Sequence, residues 1–234
     1  MMRHIVSAAC GLWLCLGSGA VAQSEPGVVV ELYTSQGCSS CPPADEILAK
    51  LSRQPGIIAL ALHVDYWDYI GWEDTFADRK FTSRQKAYAH AAGSKMIYTP
   101  QMIVGGREQV EGNQPTTVAR AIDAQMGMVG QVTLTAERQG NKVTIRAVAN
   151  PPLTRPARVQ VVRYLDRAEV AIERGENAGL NVAYHNIVTV WDDVGAWHGD
   201  APLQMTAQAA GGAPVVVIVQ SEGPGEILAA VRLR

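Results

Sequence analysis

The stretch that decides how the chain is read is Val30-Glu31-Leu32-Tyr33-Thr34-Ser35-Gln36-Gly37-Cys38-Ser39-Ser40-Cys41-Pro42-Pro43. Its first part, with Val28 and Val29 ahead of it, is β-branched and apolar, as a buried strand is. Its second part turns at Ser35 to Gly37 and runs into Pro42 and Pro43, which fit the first turn of a helix, where missing amide hydrogens cost least. The spacing predicts a strand, a turn carrying two cysteines, and a helix over Pro43 to Leu51. Cys38 then arrives at the helix start, where free N–H groups and the positive end of the helix dipole favour thiolate over thiol. Cys41 falls one helical turn further on, close enough to attack a mixed disulfide formed on Cys38. Ser39 and Ser40 supply hydroxyls that can donate to sulfur or cap the helix.

Working outward, Ile57 to Val64 is a second apolar strand. An irregular stretch follows from Asp65 to Gly93, ending in a helix that Thr82 caps, with Gln85 at the capping-box spacing, and that Gly93 stops. Gln101 to Val104 reads as a third strand, turning at Gly105-Gly106 into a fourth around Gln109 to Glu111, and Thr116 to Met126 as a helix. The order β-α-β-α-β-β-α predicts an α/β domain, one mixed sheet flanked by helices. Beyond Gly130 the apolar period becomes two. Strand-like runs at Val132 to Ala136, Val143 to Val148, Ala157 to Tyr164, Ala168 to Glu173, Asn186 to Trp191, Leu203 to Gln208, Pro214 to Gln220 and Ile227 to Leu233 predict an antiparallel β-sandwich-like C-terminal domain.

The chain has 234 residues, 47% hydrophobic and 18% charged, with a formal net charge of -2. That balance suits a soluble globular protein and carries no electrostatic footprint for nucleic acid or an anionic membrane surface. Met1-Met2-Arg3-His4, the apolar run Ile5 to Leu16 and the small residues up to Ala22 describe a secretory signal peptide cut after Ala22. The expected product is secreted or periplasmic, with no membrane attachment once the leader is gone. The expected organisation is residues 1–22 as leader, 23–129 as the α/β domain with a helical aromatic insertion at 65–93, and 130–234 as the β-rich domain. Cys10 and Cys15 leave with the leader, and Cys38 and Cys41 remain.

Three readings of that pair stay open. It is a redox dithiol, an inert oxidised clip in a secreted chain, or half of a metal site. A loop this short constrains little unfolded-state entropy, which weakens the clip. A metal site needs His63, His90, His185 or His198 to converge, and none has ligand spacing with the cysteines, so no metal is expected.

Tyr33-Thr34 followed by Gly37-Cys38-Ser39-Ser40-Cys41 resembles the active-site run of glutaredoxins. The strand ending at Val64-Asp65, and Thr99-Pro100 before a strand that ends in Gly105-Gly106, resemble the thioredoxin fold in order and spacing. The chain as a whole is similar to the secreted bacterial thioredoxin-like proteins grouped as domain of unknown function 1223. The resemblance implies a thioredoxin-like domain, with Pro100 as a cis-proline beside the dithiol and Thr99 presenting its backbone to a substrate chain. Gly37 departs from the pattern, since thioredoxins carry tryptophan there. Glu31 falls near the strand position of thioredoxin's buried carboxylate, with one extra residue before the motif. Buried there, it would take the proton from Cys41; an edge or surface glutamate is the alternative. No glutathione signature is present.

The insertion holds Tyr66, Trp67, Tyr69, Trp72, Phe76, Phe81 and Tyr88, half of the chain's Phe, Trp and Tyr residues. It leaves the sheet edge at which the dithiol is expected, so Tyr66, Trp67 and Trp72 are candidates to line a groove for an extended polypeptide, or else form a satellite core under a long loop. His63, near that edge, is a candidate to stabilise thiolate or is simply packed in a strand. Gly175-Glu176-Asn177-Ala178-Gly179 and Tyr184-His185-Asn186 read as a turn region, and the β domain as a docking or oligomerisation module. The expectation is an exported thiol-disulfide oxidoreductase acting on protein thiols and disulfides with an electron partner and no cofactor beyond its own dithiol. The alternatives are a non-enzymatic binding protein with a local disulfide, or a metal-binding dithiol protein.

Overall fold

A computed structural model describes residues 24–128 and 130–233. The expected leader, with Cys10 and Cys15, lies outside the described residues. The first elements are β1 (Glu25–Pro26), β2 (Val28–Thr34), α1 (Pro42–Leu51), β3 (Ile57–His63), α2 (Arg79–Ala91), β4 (Gln101–Val104), β5 (Glu108–Glu111) and α3 (Pro115–Met126). β2 pairs in parallel with β3 and antiparallel with β4, which pairs antiparallel with β5. Two boundaries differ from the sequence reading. Cys41, not Cys38, caps α1, because Pro42 and Pro43 take its first two positions. α2 begins before Thr82, at Asp78, whose carboxylate accepts from Lys80 N, while Thr82 is buried and donates to Asp65.

The later strands are β6 (Val132–Gln139), β7 (Lys142–Ala149), β8 (Ala157–Ala171), β9 (Asn181–Trp197), β10 (Leu203–Gln208), β11 (Val215–Ser221) and β12 (Ile227–Leu233). They overturn the expectation of a helix-flanked thioredoxin-like sheet followed by a β-sandwich of its own. The protein is mainly β, with 44% of its described residues in strands and 18% in helices. One mixed sheet of nine strands runs through both halves in the order β1-β12-β11-β8-β9-β3-β2-β4-β5. The join is β9, which meets the free edge of β3 in parallel at Ala61 and Ile187. An edge strand as apolar as β3, buried along its whole length, needs such cover against pairing with other chains.

The faces of the sheet explain why so few helices suffice. α1 and α3 cover one side, where Leu48, Leu51, Val118 and Ile122 pack on Val30, Leu32, Ala59 and Met102. On the other side α2 contributes Phe81 and Tyr88, and the sheet's own curl does the rest. Val162, Val216, Ile218 and Ala230 of the later strands close over Val29, Leu60 and Ile103 of the earlier ones. β10, β7 and β6 form a three-stranded antiparallel sheet whose Val143, Ile145 and Ala147 pack on Val159, Val215, Val217 and Val219 of the large sheet. The sandwich expected at the C-terminus therefore borrows its second layer from the sheet that carries the cysteine turn.

Candidate functional site

β2 and β3 run parallel, so their carboxyl ends open on the same edge, tied by Val64 N donating to Thr34 O at 2.9 Å. Across that edge runs the cysteine turn. Cys38 and Cys41 are joined as a disulfide. Cys38 N donates to Ser35 O and Cys41 N to Cys38 O, so the loop is a succession of tight turns before the helix. Ser40 Oγ lies 3.5 Å from Cys38 Sγ. Ser39 and Ser40 are exposed, yet Cys38 is only 1% exposed and Cys41 not at all.

Two distant segments pack on the cysteine turn. The aromatic insertion lies against Gly37, where an added Cβ would sit 3.2 Å from both Ile70 and Trp67. The space that a large residue before the first cysteine would fill is thus taken by the insertion, which is why glycine stands there. Trp72 Nε1 donates to Gln36 Oε1 at 2.8 Å, and Gln36 Nε2 to Thr75 Oγ1 at 3.1 Å. From the second segment, the turn between β8 and β9, Asn177 Nδ2 donates to both Gln36 O and Cys38 O at 2.9 Å.

Beneath the turn lies a polar cluster that the sequence reading missed apart from His63. Thr34 and His63 are register partners on β2 and β3, and both point to the α1 side, since they continue the Val30-Leu32 and Ala59-Ala61 rows that pack there. Asp45, four residues along α1 from Cys41 and bonded to it through Asp45 N and Cys41 O, meets them from the helix. Its carboxylate accepts from Thr34 Oγ1 at 3.2 Å. Burial pushes the Asp45 carboxyl up to about 7, with Asp74 adding to the rise and His63 and Thr34 opposing it. His63 Nδ1 lies 2.7 Å from Asp74 Oδ2, and Asp74 also accepts from Gln36 N at 2.8 Å and Phe76 N at 2.9 Å. Asp74 thereby fixes both the insertion and the turn. Phe76 and Tyr184 pack edge-on against the His63 ring, and Nε2 of that ring is buried without a hydrogen-bond partner.

The remaining predicted residues divide. Gln101 pairs with Tyr33, which brings Thr99 and Pro100 to the edge beside the cysteine turn, and the Thr99–Pro100 bond is cis. Trp67 Nε1 donates to Thr99 Oγ1 at 2.7 Å, so Trp67 spans from Gly37 to the cis bond. Trp72 sits on Gln36, on the other flank. Tyr66 turns aside, its hydroxyl donating to Gln85 Oε1 at 3.3 Å. Glu31 does not join the dithiol. It alternates with Val30 and Leu32, which face α1, and so points to the α2 side. There it accepts from Arg84 Nε at 2.7 Å and Nη2 at 2.8 Å, from Tyr33 OH at 2.9 Å and from Tyr88 OH at 2.8 Å. Burial, and after it the Glu31 charge, raise the Tyr33 and Tyr88 hydroxyls well above their ordinary value.

The arrangement offers a disulfide at a strand-to-helix turn, a carboxyl poised near neutrality on the helix of the second cysteine, and a backbone edge at Thr99. Among the described residues no cluster of three or more His, Cys, Asp or Glu could hold a metal ion, and no helix is long and apolar enough to cross a membrane.

The family described as "Protein of unknown function (DUF1223)" matches residues 29–220. No curated protein matches the chain. Among solved structures, the protein AGR_C_4864 from Agrobacterium tumefaciens is 32% identical, with a TM-score of 0.76 over 91% of this chain and 96% of that one. HBP35 of Porphyromonas gingivalis is 14% identical, with a TM-score of 0.68 over 89% of this chain and 74% of that one, a likeness of fold alone.

Proposed function

We propose, for a chain that belongs to the DUF1223 family, that it is an exported thiol-disulfide oxidoreductase working through Cys38 and Cys41 on protein thiols and disulfides. The observation that carries this reading is the Cys38–Cys41 disulfide in a turn between strand and helix, with the cis Thr99–Pro100 edge beside it and the buried Asp45 carboxyl four residues beyond Cys41. The likeness of this run to that of glutaredoxins supports it, and the leader read at residues 1–22 supports export.

In the reducing direction the Cys38 thiolate attacks one sulfur of a substrate disulfide, forming a mixed disulfide and releasing one substrate thiolate. Cys41 gives its proton to the Asp45 carboxylate, and the resulting thiolate attacks Cys38 Sγ. That step re-forms the Cys38–Cys41 disulfide and expels the second substrate thiolate. The substrate gains two electrons and the dithiol loses two; the oxidising direction is the reverse. Thr99 supplies a backbone edge for the substrate chain, and Trp67 and Trp72 line the approach.

The test is Cys41→Ser expressed in the exporting host. The expected result is a set of mixed disulfides on Cys38, released by reductant and absent from Cys38→Ser. A variant that captures no partner in the exported fraction refutes the reading.

The burial of Cys38 favours a second reading, a binding protein that keeps the pair as a local clip. Its signature is a reduction potential below roughly -300 mV, the range of structural disulfides, whereas an exchanging dithiol sits above it.

A further inference from the structure

The ribbon formed by β8 and β9 is far longer than the sheet it belongs to. β8 pairs with β11 only as far as Arg163, and β9 touches β3 at Ile187. Beyond those points, from Arg167 with His185 out to Ala171 with Asn181, the two strands pair only with each other. The outer ribbon is thus a two-stranded arm, a pair with little stability of its own, held to the rest by packing, with Tyr184 buried against His63 and Phe76 and Ile172 buried beside the tip.

Both ends of the arm are marked. At its base the register shifts between Arg163 and Tyr164, and Asn186 sits at a φ of 49°, its side chain donating to Ala59 O at 2.8 Å. At its tip the turn is closed by bonds of its own, Ile172 N to Leu180 O and Gly179 N to Ile172 O among them. Every residue from Glu173 to Leu180 except Asn177 is exposed. Asn177 is 4% exposed, and its two donated bonds end on the carbonyls of Gln36 and Cys38. Gly175 lies against Trp72, where an added Cβ would come within 3.3 Å of the Trp72 side chain.

We infer that this arm is a lid over the disulfide and that Asn177 is its latch. The lid's share of the cover is held by a side-chain amide from the far half of the chain, which occupies two backbone acceptors of the cysteine turn. The latch is made of hydrogen bonds, while the arm's buried apolar side chains, Ile172 and Tyr184, stand outside the tip at 173–180, so the tip is the part that can be exchanged for another donor. An extended polypeptide carries backbone N–H groups that can replace Asn177 on Gln36 O and Cys38 O as its own sulfur reaches Cys38. A small thiol carries no such row of donors and meets the closed lid. The lid governs access to the site proposed above and rests on that reading for its purpose, but not for its geometry.

The test uses the full reduced chain and iodoacetamide, with the Cys38 peptide followed by mass spectrometry. Each hydrogen bond of this kind weighs about 2- to 13-fold in an equilibrium constant. Asn177→Ala, which removes both, is expected to speed alkylation of Cys38 by roughly 5- to 150-fold. Asn177→Asp, which sets a carboxylate against two carbonyls, is expected to speed it at least as much. Hydrogen exchange on the same variants separates a lid from general loosening. Amides of the outer ribbon are expected to lose protection while those of β2, β3 and β4 keep theirs. Alkylation within twofold of the parent in both variants overturns the lid, and so does loss of protection across the whole sheet. If the variants open Cys38 as expected but Cys41→Ser traps no partner, the lid stands and the oxidoreductase reading fails. If trapping occurs while Asn177 leaves alkylation unchanged, the reading stands and the lid fails.

Discussion

Replacing Asp45 with asparagine keeps the shape of the side chain and an oxygen to accept from Thr34 Oγ1, and removes only the charge. In the oxidised protein burial raises the Asp45 carboxyl from 3.8 to about 7. A rise of roughly three pKa units corresponds to about 4 kcal/mol, at about 1.36 kcal/mol per unit. The direction follows from proton binding. The folded carboxyl holds its proton more tightly than the unfolded one, so between about pH 4 and pH 7 the native state binds more protons and the unfolding free energy falls as pH rises. This stabilisation is complete below the unfolded pKa and gone once pH passes the folded one. Asp45→Asn is uncharged throughout and lacks the slope. Urea unfolding of both oxidised proteins from pH 4 to pH 8 reads the difference. The two are expected to agree within about 1 kcal/mol at pH 4, and the variant to lead by up to about 4 kcal/mol at pH 8. A gap that stays constant over the whole range refutes the account of Asp45 as a desolvated carboxyl. In the reduced protein the same substitution is expected to slow release of the mixed disulfide, because Cys41 has lost its proton acceptor. Stability up and exchange down is the pattern of a group kept at a cost to the fold.

Other perturbations separate the two faces of the sheet and the base of the arm. Glu31→Gln leaves the Arg84 guanidinium buried without its counter-ion and is expected to lower stability by about 3–5 kcal/mol in urea unfolding. Because Glu31 lies on the α2 side, the reduced variant should alkylate Cys38 at the parent rate; acceleration would mean that Glu31 acts on the dithiol after all. Asn186→Ala removes the donor to Ala59 O and is expected to cost about 1–3 kcal/mol. Asn186→Gly recovers about 1 kcal/mol of that, because glycine adopts a positive φ without strain. Thermal unfolding of the pair checks the order.

Much of the site was readable because its signals are local. Two prolines after Cys41 fix the start of α1, the β-branched run before the turn fixes β2, and Thr99-Pro100 stands directly before an apolar strand. Asp45 carries a local signal as well, though the sequence reading missed it: a residue four positions after Cys41 shares its helix face. Asp74 and Asn177 carry none. Their bonds to the cysteine turn span 38 residues for Asp74 and Gln36, and 139 and 141 residues for Asn177, and nothing in a turn-like sequence says what the turn returns to. β8 reads as two strands for a related reason. Leu165-Asp166-Arg167 breaks the apolar alternation of β8 and reads as a connection, but that stretch leaves the sheet and is exposed on both faces. A strand with no buried face has no apolar period to show.

The same blindness explains the error in fold. Periodicity tells which face of a strand is covered, never what lies along its edge. β3 is apolar on both faces and reads as an apolar strand, and the sequence offers β2 as one neighbour. Its other neighbour, β9, arrives from the far half of the chain and touches it at a single register pair, Ala61 with Ile187. With that edge left open, the C-terminal strands had nowhere to belong except to a domain of their own, and their role shrank to docking. With it closed, β9 brings Tyr184 against His63 and Asn186 onto Ala59 O of β3, and the turn before β9 sets Asn177 on the Cys38 carbonyl. The burial that pushes Asp45 up and the cover that hides Cys38 therefore depend on the same long-range pairing. A truncation after α3 would strip Tyr184 from His63 and Asn177 from the turn at once, so the chemistry of the cysteine pair belongs to the whole chain and not to its first half.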